Sequence, residues 1–128
     1  MPTVVTFGTY DLFHIGHLRV LQRASAMGDR LVVGVSSDEL NVQKKNRVPL
    51  TRCQDRLSIV KALGCVDEVF IEESLEKKEE YVRQFGSDSI VVMGDDWKGR
   101  FDHLPFKVVY LERTPDVSTT DIIKKIKV

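Results

Sequence analysis

The stretch Val4-Val-Thr-Phe-Gly8-Thr-Tyr-Asp-Leu-Phe-His14-Ile-Gly-His17-Leu-Arg-Val-Leu21 decides the fold. Its first four residues are apolar or β-branched with no polar alternation, the pattern of a strand covered on both faces and so of a parallel sheet. Gly8 ends that run. Over residues 16–27, Leu18, Leu21 and Ser25 then fall on one helical face with Val20 and Ala24 beside it, until Gly28-Asp29 stops the period. Strand, glycine loop and amphipathic helix make the first half of a βαβ crossover.

Working outward, apolar runs of the same kind recur at residues 31–35, 68–71, 90–93 and 108–111. A second helix is expected to begin at Thr51, where Thr51-Arg-Cys-Gln54 has the form of a capping box, a third to cover about residues 75–85, and a last one about residues 119–125. The alternation predicts an α/β fold, a single-domain doubly wound parallel sheet over residues 1–128, with ligands beyond the carboxyl ends of the strands. Residues 41–50 hold Lys44, Lys45, Asn46, Arg47 and Pro49 with little periodicity and read as a mobile basic loop.

The chain has 128 residues, 19 Lys plus Arg against 19 Asp plus Glu, so no whole-chain field draws it to nucleic acid or an anionic membrane. No aromatic-basic platform for single strands appears either. The apolar runs are strand-sized, and Met1-Pro2-Thr3 lacks the features of a signal peptide, so a cytoplasmic protein without membrane insertion is expected. Cys53 and Cys65 form no CxxC pair and are expected to be reduced and buried.

Chemistry is expected in the loop between the first strand and helix. Gly8 would let backbone N–H groups approach a phosphate, and Gly16 would keep the positive end of the helix clear of side chains. His14 and His17, three residues apart, would face one anion from the first helical turn and donate hydrogen bonds to developing phosphoryl charge. A zinc pair would need a third ligand such as Asp11 or His103, and no metal ligand set is assigned. Asp11 would either orient a histidine or shape the turn. His103 is expected at the surface.

Four segments, residues 8–17, Lys44 in its basic surroundings, Met93-Gly-Asp-Asp-Trp97 and Arg113-Thr-Pro-Asp-Val-Ser-Thr-Thr120, resemble the cytidylyltransferase family, most closely its bacterial glycerol-3-phosphate members. The resemblance implies a Rossmann-like H-x-G-H nucleotidyltransferase fold, a homodimer, and transfer from CTP to a phosphorylated small alcohol, best glycerol 3-phosphate. It implies in-line attack by the acceptor phosphate on the α-phosphorus, with Mg²⁺ accompanying CTP and CDP-alcohol serving a cell-surface polymer. On matching positions His14, His17, Lys44 and Arg113 would be catalytic. Gly8, Thr9, Tyr10, Gly16, Thr114, Ser118, Thr119 and Thr120 would join them around the nucleotide, and Lys44 and Lys78 would bind the acceptor. Ordinary N-capping is the alternative for the Ser-Thr-Thr triplet, and a solvated face the alternative for Lys77 and Lys78. Asp95 and Asp96 would take ribose, cytosine or Mg²⁺. An adenylyl-transferring enzyme of the same superfamily, acceptors such as phosphoethanolamine or phosphocholine, and a nucleotide-binding regulatory module are the alternatives.

The chain departs from that pattern at Leu63-Gly64-Cys65, where family members often carry an arginine, and at Asp116, commonly glycine. A carboxylate between Arg113 and Ser118 would repel a triphosphate: two unit charges about 6 Å apart at an effective dielectric near 20 interact by roughly 3 kcal/mol before screening. Asp116→Gly is therefore expected to lower the KM for CTP with acceptor saturating, measured at two Mg²⁺ concentrations; a raised KM would mean that Asp116 helps to hold a cation on the nucleotide.

Overall fold

The computed structural model describes residues 2–113 and 118–127; Thr114 and Asp116 lie outside the described residues. The chain runs β1 (Thr3–Gly8), α1 (Ile15–Ser25), β2 (Arg30–Ser36), α2 (Asp38–Lys45), α3 (Cys53–Lys61), β3 (Glu68–Glu72), α4 (Lys78–Arg83), β4 (Ile90–Gly94), β5 (Lys107–Leu111) and α5 (Thr119–Ile126), with a 3₁₀ turn, Asp95–Trp97, after β4. All five expected strands form. They pair in parallel in the order β3-β2-β1-β4-β5, so the chain leaves β1 to one side for β2 and β3 and crosses back to the other for β4 and β5. That reversal opens a crevice between the carboxyl ends of β1 and β4, where open α/β sheets bind ligands.

The two-residue period of the strands divides the core between the two faces of the sheet. Val4, Leu31, Val33, Val35 and Val92 face α1 and α3, meeting Leu21, Ala24 and Val60. Val5, Val32, Val91 and Met93 face the other way, against Val82 of α4 and the Phe101–Leu104 turn. Each such side chain, fully buried, contributes about 1.5–3 kcal/mol. At Gly34 a Cβ would lie 2.7 Å from both Phe7 and Phe70, so glycine is what lets those two rings meet edge to face at 5.8 Å.

Three expected elements differ. Residues 41–45 are helical, because Ser37 caps α2 through a bond from the Leu40 N–H to its Oγ (3.0 Å) and Asp38 and Glu39 occupy the first turn. The capping box at Thr51 does not form: α3 starts at Cys53, and the Thr51 N–H is bound instead by Asp11. The third helix is shorter than its pattern, Lys78–Arg83. Both cysteines are free and half-buried. Among the described residues no helix is long and apolar enough to cross a membrane.

One cation organises the strand ends. Arg56 of α3 is completely buried and donates to the carbonyls of Thr51 (2.9 Å), Thr9 (2.7 Å) and Ser36 (2.8 Å) and to the Asp38 carboxylate (2.7 Å). Arg56→Ala would strand three carbonyls and a carboxylate, and is expected to cost about 3–5 kcal/mol, the scale of breaking a buried pair. Urea unfolding measures it; a loss below about 1 kcal/mol would show that water replaces the guanidinium without penalty.

Candidate active site

A cleft of about 220 Å³ occupies the crevice between β1 and β4. The loop after β1 supplies Gly8, Thr9, Tyr10, Asp11, His14, Gly16 and His17 to its wall, and the end of β4 with its 3₁₀ turn supplies Gly94, Asp96 and Trp97. Arg113 and the start of α5, Ser118, Thr119 and Thr120, close another side, and Lys45 and Arg47 stand on a third. The sheet reversal and two loops thus bring together residues 100 positions apart in sequence.

The histidines are set by reciprocal bonds. His14 is the N-cap of α1 and accepts the Gly16 N–H on Nδ1 (3.0 Å), while His17 Nδ1 accepts the His14 N–H (3.1 Å). With both Nδ1 atoms acting as acceptors, each neutral ring carries its proton on Nε2. The rings stack with centroids 3.8 Å apart, and His17 is braced edge-on by Tyr10. Burial, His14 and Lys45 push the His17 pKa down to about 3, against a weaker opposing pull from Asp11, and burial lowers that of His14. Two neutral donors side by side can meet charge on a phosphoryl group without repelling each other. Gly16 therefore does not leave the helix terminus open, as its sequence position suggested: its N–H is spent on His14.

Loop geometry explains the glycine and the acid. A Cβ at Gly8 would come within 2.7 Å of the Tyr10 ring, which folds back over the strand end because Tyr10 takes a left-handed conformation (φ 57°). Asp11 is buried and accepts the N–H groups of Leu50 (2.8 Å) and Thr51 (2.9 Å), so it ties the chain beyond α2 to the loop. Its own carbonyl accepts the Thr119 hydroxyl (2.7 Å), which docks the start of α5 on the same loop. Shaping the turn is thus the role the contacts give Asp11.

Ser118 is the N-cap of α5, its Oγ accepting the Asp121 N–H (3.1 Å), so the ordinary capping role is real for this residue while the triplet still lines the cleft. The first N–H groups of α5 have no backbone carbonyl partner within the helix, and this positive end borders the cleft. Asp96 lines the wall; Asp95 precedes it in the exposed turn.

Lys44 and Lys78 lie elsewhere. Lys44 donates to Ser36 Oγ (2.7 Å), which approaches Glu72 Oε1 (3.3 Å), and its ammonium sits 5.9 Å from the Trp97 ring. Burial lowers its pKa to about 8, opposed by Glu72. Lys78 is no solvated residue: only 2% exposed, it pairs with Glu72 Oε2 (2.7 Å) and lies 3.5 Å from the Phe7 ring centroid. One buried carboxylate thus holds Lys78 directly and is linked to Lys44 through Ser36. Lys77 precedes α4 and is exposed, as is His103. Sequence reading missed Glu72 and Ser36, which carry no motif; Trp97, quoted there within the Met93–Trp97 segment without a site role, takes its place on the wall through the 3₁₀ turn.

Residues 5–125 match the model of the family described as cytidylyltransferase-like. The chain belongs to that family. The expected nucleotidyltransferase class is therefore met. The chain is 43% identical over 126 residues to a glycerol-3-phosphate cytidylyltransferase of Bacillus spizizenii, covering 97% of this chain and 96% of that protein. It is 33% identical to an FAD synthase of Thermococcus onnurineus, covering 96% and 89%. In fold it is similar to the lipopolysaccharide core biosynthesis protein of Thermoplasma volcanium, with a TM-score of 0.75 at 24% identity over 89% of this chain and 98% of that one.

His17 stays neutral in the fold down to about pH 3 but ionises near 6.5 when exposed. Between those values the unfolded chain binds the extra proton, so the stabilisation is complete above pH 6.5 and is lost as pH falls towards 3. His17→Ala is expected to flatten the fall of Tm between pH 6.5 and 4.5 and to cut turnover by about two orders of magnitude, the scale of losing a donor to transition-state charge. A folded variant with near-normal rate would remove the residue from the chemistry.

Proposed function

We propose that the protein transfers the cytidylyl group of CTP to glycerol 3-phosphate, giving CDP-glycerol and pyrophosphate. The observation that carries this reading is the paired Nε2–H donors of His14 and His17, in a cleft that also holds Arg113 and the start of α5. Such a wall suits a polyphosphate with a reacting phosphorus at the histidines. The greater identity to the glycerol-3-phosphate cytidylyltransferase than to the FAD synthase supports CTP and the acceptor over an adenylyl donor.

In the reaction a phosphate oxygen of the acceptor attacks the α-phosphorus opposite the pyrophosphate, the new P–O bond forms as the α–β bond breaks, and no covalent enzyme intermediate arises. The histidines donate to the non-bridging oxygens as charge gathers on them, and Arg113 with α5 receives the leaving pyrophosphate. Catalysis is then positioning and charge stabilisation. Lys44 reaches the acceptor phosphate from its place behind Trp97. Lys78, buried against Phe7 and paired with Glu72, is withdrawn from direct contact with the acceptor, contrary to the expected acceptor-binding role.

Asp11 is buried with each oxygen engaged by a backbone donor, whereas Asp96 is exposed on the cleft wall and is the carboxylate better suited to Mg²⁺. One carboxylate with substrate phosphates is an ordinary Mg²⁺ environment. The ion would neutralise triphosphate charge. A cytoplasmic homodimer completes the proposal.

With CTP, Mg²⁺ and glycerol 3-phosphate the protein is expected to release pyrophosphate and form CDP-glycerol, detected by mass, with ATP at least about tenfold less effective, the scale of one lost base contact. CTP binding with no product across a panel of phosphorylated alcohols would instead favour a regulatory nucleotide-binding module.

A further inference from the structure

A fully buried carboxylate and the serine beside it have no part in the reaction as described so far. Glu72 closes β3 directly opposite Ser36 in the parallel register with β2, and both are completely enclosed. Side chains opposite each other in a sheet share one face, so the two strand ends meet through these groups. They also meet through the backbone, where the Ser37 N–H donates to the Glu72 carbonyl (2.8 Å). α2 then brings Lys44 back over the same strand end.

The direction of each bond in this cluster is fixed by chemistry. An ammonium only donates and an ionised carboxylate only accepts, whereas a hydroxyl does both. The Ser36 proton therefore goes to Glu72 Oε1 (3.3 Å), and its lone pairs are left for Lys44 Nζ (2.7 Å). Glu72 Oε2 takes Lys78 Nζ (2.7 Å), whose ammonium lies against the Phe7 and Phe101 rings. Lys78 thus balances Glu72, and the charge left over is that of Lys44. Ser36 engages one of its three donors, and it stands 5.9 Å from the centroid of Trp97, a wall residue of the cleft. Burial lowers its pKa to about 8; Glu72 opposes the fall, while Lys45, Lys78 and Arg56 add to it.

We propose that Ser36 and Glu72 are positioning residues of the reaction: the carboxylate, balanced by Lys78, orients the Ser36 hydroxyl, and the hydroxyl fixes Lys44 beside Trp97 with donors left for the acceptor phosphate. The inference rests on the nucleotidyl-transfer reading and deepens it by assigning what aims the acceptor-binding lysine. Neither residue touches substrate.

The test is steady-state kinetics of the full chain with CTP, Mg²⁺ and glycerol 3-phosphate for Ser36→Ala, Lys44→Ala and the two combined. Ser36→Ala is expected to raise the KM for glycerol 3-phosphate about tenfold, the scale of one lost charge-assisted bond, with the KM for CTP within about twofold of wild type. In the Lys44→Ala background the same change is expected to add less than about twofold, since a residue that acts through Lys44 has nothing left to position. An acceptor KM within about twofold of wild type overturns the proposal, as do equal effects on both substrates or an effect that persists without Lys44. Glu72→Gln combined with Lys78→Met removes the buried ion pair without leaving a charge unpaired, and is expected to raise the acceptor KM about threefold or more. An unchanged acceptor KM there overturns the part given to Glu72. Melting curves check that each variant is folded.

A second measurement needs no substrate: the pH dependence of Lys44 acetylation by acetic anhydride, read from peptide masses. Losing a bond to the ammonium lowers its pKa, so the midpoint in Ser36→Ala is expected about half a unit or more below that of wild type. An unchanged or raised midpoint overturns the proposal. A wild-type chain that transfers the nucleotide to no phosphorylated alcohol defeats the proposed reaction, while the midpoint still decides whether Ser36 holds Lys44.

Discussion

The guanidinium of Arg56 is shared by four partners that belong to four different segments: the Thr9 carbonyl after β1, the Ser36 carbonyl at the end of β2, the Thr51 carbonyl before α3 and the Asp38 carboxylate in α2. Carbonyls at the ends of parallel strands have lost their ladder partners and, when buried, must find donors. A planar fork of donors on a rigid stem meets several at once, which a lysine's single nitrogen does not. The loop that carries His14 and the two ends of the segment that carries Arg47 therefore meet at one buried point.

Around that point the polar groups divide into two layers. Towards the cleft stand neutral histidines, three cations and the start of α5. Behind Trp97, Glu72 holds Lys78 directly and reaches Lys44 through Ser36. Burying a carboxylate with two lysines costs desolvation that their attraction must offset, and such clusters are kept where they set geometry rather than where they maximise stability. The arrangement separates the cleft cations Lys45, Arg47 and Arg113 from the Lys44 and Lys78 pair gathered around Glu72.

How far the site could be read in advance depended on the kind of residue. His14 and His17 were legible because a three-residue spacing after a strand and glycine is a local signal, and both do line the cleft. Lys78 was not. Its neighbours Lys77, Glu79 and Glu80 make the segment look like a solvated face, and it is Glu72, six residues earlier at the end of β3, together with the Phe7 and Phe101 rings, that explains why it is buried. The pattern at residues 41–50 failed for a related reason: the helix there is held by the Ser37 cap and the buried Leu40 and Asn41, a short element whose apolar period is too brief to count.

The sequence by itself determined the five strands, the doubly wound class and the loop where the histidines lie, since each follows from local periodicity and glycine placement. Resemblance in four short segments determined the family. Only the tertiary structure decided which of Lys44, Lys45 and Arg47 face the cleft, because adjacent residues on a helix point in different directions and a left-handed Asn46 re-aims whatever follows it. It alone decided that Asp11 serves the turn and that α3 starts at Cys53, for the same physical reason: a buried backbone N–H binds whichever acceptor the fold brings closest, and sequence distance does not limit the choice.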